Sequence, residues 1–159
     1  MPLFSIGIDT IFIMTKYVFR YCISRNAEKK TGAYCMTIQD MVDVLHAKVL
    51  CGADRLDTKV HTACCSDLMR DVLAFVYVKT VLITGLTNAH VLRTADMLDL
   101  KCLVFARGKI PGNDILEQAE EQGLVVIVTP ATAFSACGLL YEAGLRGVPI
   151  EWPESEARL

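Results

Sequence analysis

The sequence lacks the glycine-rich motifs of the common nucleotide-binding folds. Neither G-x-x-x-x-G-K-[ST] nor G-x-G-x-x-G occurs, so a P-loop kinase is disfavoured and a dinucleotide-binding domain is not supported. C-x-x-C is also missing, and no Cys/His spacing is typical of a zinc site. The sequence therefore predicts no cofactor and no metal site.

Excess charge of one sign and long apolar runs are also missing. The net charge is −2 and the lysines and arginines are scattered, which argues against non-specific nucleic-acid binding. The most apolar N-terminal stretch, residues 3–23, is interrupted by Asp9, Lys16 and Arg20. Its uninterrupted pieces are too short to span a bilayer, and their flanks do not fit a signal peptide. We predict no nucleic acid partner, no membrane partner and a cytoplasmic location.

What the chain does have is apolar residues and cysteines. Hydrophobic residues make up 53% of 159 positions, enough for the core of a single domain. The seven cysteines are predicted to be buried thiols in a reducing compartment. The adjacent Cys64 and Cys65 are the pair we would test for redox chemistry, although neighbours on a strand point to opposite faces.

The two ends of the chain differ in character from the middle. Residues 1–35 are predicted to be an N-terminal extension, with Met36 as the native start and the preceding residues an upstream mis-start. An interfacial anchor or an extra strand and helix are the alternatives. Residues 147–159, with two prolines and three glutamates, are predicted to be a flexible C-terminal tail.

Residues 36–146 alternate short apolar runs with helical patterns. Thr37 and Asp40 predict a capping box at the start of the first helix. The run Val60–Cys65 predicts one strand, after which Ser66 or Asp67 would cap a helix whose inward side is Leu68, Val72 and Phe75. The alternation predicts an α/β fold: three layers, α/β/α, around a mostly parallel sheet of about four to five strands.

Polar residues follow several of the predicted strands. Because the carboxyl ends of parallel strands share one edge of a sheet, that edge is the expected ligand site. The turn from Thr84 to Asn88 offers backbone N–H groups at a helix start, which suits an anion, and Arg107 and Lys109 would neutralise it if their strand lies beside this one. An ordinary βα loop and a solvated turn are the alternatives. The candidate ligand-binding residues are Ser66, Asp67, Thr84, Gly85, Thr87, Asn88, Arg107, Gly108, Lys109 and Thr129.

Several segments together resemble a known family. They are Met36–Asp40, Ser66–Val72, Ile83–Asn88, Arg107–Pro111, and Thr129-Pro130 leading to Cys137–Glu142. In order and spacing they resemble the DRTGG domain, which is similar to the N-terminal domain of HPr kinase/phosphorylase. The pentad that names the family is absent, since Asp54-Arg55 is followed by Leu56-Asp57. The resemblance implies an α/β/α regulatory or dimerising module of bacterial proteins, often beside CBS domains, without established catalytic residues.

These observations leave functions of different classes open. The leading prediction is a non-catalytic regulatory, ligand-sensing or dimerisation domain that forms a homo-oligomer, a dimer or larger. Its partner would be a small anionic metabolite, a nucleotide or another protein. The alternatives are an enzyme or phosphotransfer partner related to HPr kinase regulation that uses Ser66, Asp67, Thr84 or Thr87, and a redox partner that uses Cys64 and Cys65. No catalytic residue is predicted.

Overall fold

The computed structural model describes residues 35–76 and 80–148. Within them eight strands, five helices and one 3₁₀ turn, Ala53–Arg55, follow one another. The strands are β1 Met36–Thr37, β2 Lys48–Cys51, β3 Lys59–Val60, β4 Thr62–Cys65, β5 Thr80–Thr84, β6 Cys102–Phe105, β7 Val125–Val128 and β8 Arg146–Gly147. The helices are α1 Ile38–Leu45, α2 Met69–Phe75, α3 Ala89–Met97, α4 Asn113–Glu121 and α5 Ala133–Glu142.

Six of the strands form one mostly parallel sheet. Their order is β2-β7-β6-β5-β4-β8; β2 is antiparallel to β7, and every other neighbouring pair is parallel. A separate two-stranded ribbon joins β1 to β3. The α/β prediction is confirmed, and the sheet has six strands because β8, only two residues long, adds an edge strand that its sequence does not signal.

Two apolar cores lie on opposite faces of this sheet, because successive side chains of a strand point to opposite faces. On β6, Cys102 and Val104 belong to one core and Leu103 and Phe105 to the other. Helices α1 and α5 contribute buried residues to the first core, and α2, α3 and α4 contribute to the second. The three predicted layers follow from this alternation.

The first helix begins at the predicted capping box. The Thr37 side chain accepts a hydrogen bond from the Asp40 N–H at 3.1 Å, and the Asp40 carboxylate accepts one from the Thr37 N–H at 3.1 Å. Both partners lie within three residues of each other in sequence, which is why this feature could be predicted.

The segment from Val60 to Cys65 is not one strand. Val60 pairs with Met36 in the ribbon, His61 belongs to no strand, and Thr62–Cys65 pair with β5. The chain therefore changes its pairing partner from β1 to β5 between Val60 and Thr62. An apolar pattern alone does not reveal such a change.

Helix α2 is shorter and more exposed than predicted. Val72 is buried, but Leu68 is 51% exposed and Phe75 is 49% exposed. The helix has only seven residues, which is about two helical turns, so only a narrow stripe of side chains faces the core. The prediction of three inward residues is wrong for Leu68 and Phe75.

The predictions for the two chain ends fall mostly outside the described residues. Residues 1–34 and 149–159 are not described, so the extension and the tail stay predictions. Gly147, assigned to the tail, lies in β8 and pairs with Ala63. Among the described helices, none has the length and apolar character needed to cross a membrane.

Candidate functional site

The candidate site lies along the carboxyl ends of four neighbouring strands. The strand order β7-β6-β5-β4 places the loops that contain Thr129, Arg107, Gly85 and Asp67 side by side. We call this row the carboxyl edge. The sequence predicted such an edge, and the sheet order decides which loops are neighbours on it.

Asp67 is the centre of a hydrogen-bond network at this edge. Its Oδ1 accepts one hydrogen bond from the Thr84 hydroxyl and one from the Gly85 N–H, both at 2.8 Å. These bonds, the Gly85 N–H first, lower the pKa of Asp67, and the charges of Arg107 and Lys109 add to the effect. Of the two predicted caps of α2, Ser66 or Asp67, Asp67 does not act as one and holds the β5–α3 loop instead.

The Arg107 side chain lies against Gly85, where the missing Cβ leaves room for it. A Cβ at Gly85 would be 2.5 Å from Arg107 Nη2 and 3.4 Å from Asp67 Oδ2. On the other side of the same loop, Lys109 Nζ donates to the Gly85 carbonyl at 2.8 Å. The two cations after β6 are thus beside the loop after β5, as they must be if they are to neutralise an anion there.

The backbone holds Arg107 in an unusual conformation. Arg107 has φ 61° and Gly108 has φ 65°, the left-handed region that a non-glycine residue rarely adopts. The Arg107 N–H donates to Ala131 O and the Gly108 N–H to Thr129 O, both at 2.8 Å. The turn is therefore fastened to the next loop, and this directs the guanidinium along the edge.

A sequence model of the DRTGG domain matches residues 40–143. The chain belongs to the DRTGG domain family. The family prediction is confirmed, whereas the further similarity to HPr kinase/phosphorylase stays a prediction. No curated protein matches the sequence of this DRTGG domain.

Three solved chains match the DRTGG domain in structure. One is the crystal structure of the CBS and DRTGG domains of the regulatory region of Clostridium perfringens pyrophosphatase, complexed with the activator diadenosine tetraphosphate. The TM-score is 0.57 at 20% identity. The match covers 67% of this chain but only 46% of that one, so the chain spans less than half of its neighbour. The likeness shows that the two share a fold.

Several predicted ligand residues of the DRTGG domain already have partners within the domain. The Thr129 hydroxyl is buried and donates to Leu45 O at 2.9 Å. Asn88 caps α3 by accepting from the His90 N–H at 3.1 Å, and Ser66 accepts from the Leu68 N–H at 3.0 Å. These three side chains hold the loops in place. Thr87 lies on the loop and is partly exposed.

One charged group at the carboxyl edge is left for a ligand. The Arg107 guanidinium is exposed and makes no hydrogen bond to any residue in 35–76 or 80–148. Asp67 and Lys109, by contrast, both bind the Gly85 peptide. With one carboxylate and two cations the edge has a local charge of +1. The described residues contain no group of three metal-ligating side chains.

The adjacent cysteines are separated by the sheet, and a third cysteine enters instead. Cys64 packs against the core beneath α2, α3 and α4, whereas Cys65 lines a groove together with Cys137 of α5. Partial desolvation within the groove, and then the neighbouring Cys137 sulfur, raises the pKa of Cys65 to about 12. Sequence reasoning missed Cys137, because nothing near it in the chain signals this contact.

Proposed function

We propose that this DRTGG domain is a regulatory module that binds a small anionic ligand at the carboxyl edge, with Arg107 as the group that pairs with the anion. The observation that carries the proposal is the Arg107 guanidinium, exposed against Gly85 and without a hydrogen-bond acceptor among the described residues. A guanidinium binds carboxylate and phosphate oxygens in pairs, with defined geometry.

The loop beside Arg107 is organised before any ligand arrives. Asp67 and Lys109 bind the N–H and the carbonyl of Gly85, so little conformational entropy remains to be lost when a ligand binds. Asp67 also takes up the Gly85 N–H that a phosphate would otherwise use. Recognition would therefore depend on the Arg107 side chain more than on the backbone.

The rim of the edge is apolar. Leu68 follows β4 and is half exposed, and Ile110 follows β6 with 63% of its surface exposed. A ligand with an anionic part and a flat apolar part, such as a nucleotide, would match both features. The activator in the pyrophosphatase structure is a nucleotide, but that crystal also contains CBS domains, so the proposal rests on the charges and the rim.

Asp67 favours binding over acid–base catalysis. Its pKa is lowered by hydrogen bonds to the loop, whereas a general acid or base works best with a pKa near the working pH. A carboxylate that stays ionised and bonded to backbone is suited to a structural role. This supports a regulatory domain over the phosphotransfer alternative.

The test is a thermal-shift screen of the full chain against adenine nucleotides, diadenosine tetraphosphate, phosphorylated sugars and small carboxylates. A compound at 100 times its Kd stabilises the folded state by about 2.7 kcal/mol, which is readily seen. We expect a hit whose shift is lost in Arg107→Ala and kept in Arg93→Ala, an exposed arginine on α3. No hit, or a hit that survives Arg107→Ala, would contradict the proposal.

A second function, dimerisation, is favoured by the outer face of α5. Phe134 is 89% exposed and Tyr141 is 59% exposed, and with Gly138 they are spaced four and three residues apart, on one side of the helix. A Cβ at Gly138 would meet nothing within 4 Å, so another backbone could approach closely there. We propose that this stripe packs against the same stripe of a second copy.

Light scattering after size-exclusion chromatography tests the dimer. The wild-type chain is expected to have the mass of a dimer, and Phe134→Ser with Tyr141→Ser the mass of a monomer. Met97→Ser, at an exposed apolar position of α3, is the control and should stay dimeric. A wild-type monomer would refute this second function and leave ligand binding untouched.

A further inference from the structure

Two thiols from distant parts of the chain meet beside the carboxyl edge. Cys65 ends β4 and Cys137 lies in the middle of α5, and the two side chains are close enough for the charge of one to act on the other. Both line one open groove along the β4–β8 side of the sheet. Cys65 is exposed and Cys137 partly so, so small molecules in solvent can reach the pair.

The other described cysteines do not share this arrangement. Cys102 is completely buried, and Cys64 belongs with the core on the opposite face of the sheet. Cys51 contacts the Leu124 carbonyl at 3.5 Å on the far side of the sheet, near β2. Cys64 also contributes to the lining of the groove, but Cys65 lies on the same face of the strand as Ala63, towards the core to which Cys137 belongs.

We propose that Cys65 and Cys137 form a dithiol site that low-molecular-weight disulfides, such as glutathione disulfide, oxidise to an intramolecular disulfide. The site differs from the vicinal Cys64-Cys65 pair that the sequence suggested. It is also a separate place from the proposed anion site, since the residues that line its groove do not include Arg107.

The two sulfurs have different roles in the reaction. Because the pKa of Cys65 is raised, Cys65 is the thiol that keeps its proton, and Cys137 attacks first after it gives its proton to water. Attack of the Cys137 thiolate on the glutathione disulfide forms a mixed disulfide at Cys137 and releases one glutathione thiolate.

The second step closes the protein disulfide. The released thiolate takes the proton of Cys65, and the Cys65 sulfur then attacks the Cys137 sulfur and displaces the second glutathione as a thiolate, which takes up a proton from water. In sum, the protein dithiol loses two protons and two electrons, and one glutathione disulfide gains them to become two glutathione thiols. Since a protonated thiol reacts slowly, oxidation should be faster at higher pH.

The disulfide would join the end of β4 to α5. The two cysteines are far apart in sequence, so the link constrains the unfolded chain strongly. Its Cys65 end also lies two residues before Asp67, which holds the β5–α3 loop. Oxidation would therefore fasten the strand from which the carboxyl edge is organised.

The experiment treats the full, fully reduced chain with glutathione disulfide, blocks free thiols and maps the disulfides by mass spectrometry. We expect a Cys65–Cys137 link in the wild-type chain and in the matched control Cys64→Ser. The melting temperature should rise on oxidation by on the order of 10 °C and fall back with dithiothreitol. Cys65→Ser should stop at the mixed disulfide on Cys137, and Cys137→Ser should leave the thiol at position 65 unmodified.

A wild-type chain that forms no Cys65–Cys137 link under these conditions would overturn the proposal. So would a link that includes Cys64, or a melting-temperature rise that persists in Cys65→Ser. The wild-type map decides the question by itself if either serine variant fails to fold.

Discussion

The three central strands and the strand beside them belong to one sheet but have different surroundings. Every residue of β5, β6 and β7 is buried, whereas every residue of β4 is partly or fully exposed. Within residues 35–76 and 80–148, the short β8 pairs with Thr62 and Ala63, and the second half of β4 has no β8 partner. Cys65 and Asp67, the residues to which we assign a function, lie at or just after that end of β4. The packed centre holds Gly85, the partner of Asp67, in position.

The centre should respond most strongly to a loss of volume. Leu103 on β6 is fully buried, so Leu103→Ala removes apolar contacts and leaves a cavity. We expect it to lower the free energy of unfolding by about 3 kcal/mol, measured by urea denaturation. Ile110→Ala, at an exposed position of the edge, is the control and should change stability by less than about 0.5 kcal/mol. Equal losses of stability from Leu103→Ala and Ile110→Ala would contradict the difference between the packed centre and the exposed edge.

A substitution at Gly52, in the packed region, should destabilise the protein nearly as much as Leu103→Ala. Gly52 has φ 78°, and a Cβ there would lie 2.9 Å from the Val125 Cα, a backbone atom that cannot move aside. Gly52→Ala should cost about 2 kcal/mol or more, from left-handed strain and this clash. Gly123 has φ 69° and open space around it, so Gly123→Ala should lower the free energy of unfolding by only about 1 kcal/mol through backbone strain. If Gly52→Ala destabilises the protein no more than Gly123→Ala, the Val125 backbone must move aside to accommodate the added methyl group.

At the carboxyl edge the expected effects are smaller and depend on pH. Asp67→Asn keeps the shape but removes the charge that accepts from Thr84 and Gly85, and we expect a loss of about 1 kcal/mol at pH 7, reduced by solvent exposure. Since folding lowers the pKa of Asp67, the stabilisation is present above the unfolded pKa of about 4 and is lost as the pH falls through the lower, folded value.

Chemical denaturation of the wild type and Asp67→Asn between about pH 7 and pH 2 checks this prediction. The difference between the two proteins should shrink below about pH 4. Asp96→Asn on α3, where the carboxylate is exposed, should give a small difference at every pH. A difference at Asp67 that does not change with pH would mean that the charge is not what stabilises the loop.

The smallest effect on stability is expected at Gly85. The atom that an added Cβ would meet is the tip of the Arg107 side chain, which can swing away, so Gly85→Ala should cost less than about 0.5 kcal/mol. It should nevertheless abolish any ligand-induced shift that depends on Arg107. In an Arg107→Ala background the same alanine should cost nothing further, and a double-mutant cycle measures this coupling. Additive costs would show that the two residues do not interact.

The local features of the domain could be predicted from its sequence. The buried strands are short apolar runs such as Val81–Ile83, and the capping box of Thr37 and Asp40 joins residues three apart. The alternation of strands and helices was enough to predict the α/β class, and the scattered motifs were enough to identify the family. In each case the interacting residues are close in the chain, or the signal is a periodicity that one element carries by itself.

The contacts that define the candidate site were decided only by the tertiary structure. Ser66 or Asp67 was predicted to cap α2, but parallel pairing of β4 with β5 brings Asp67 to Gly85. There its carboxylate accepts from the β5–α3 loop. The placement of Arg107 against Gly85 and of Cys65 against Cys137 depends likewise on the order of strands and on how a helix crosses the sheet. Sequence alone determines which side chains follow each strand, and the pairing of the strands determines which of them meet, because that pairing is set by the summed packing of both cores.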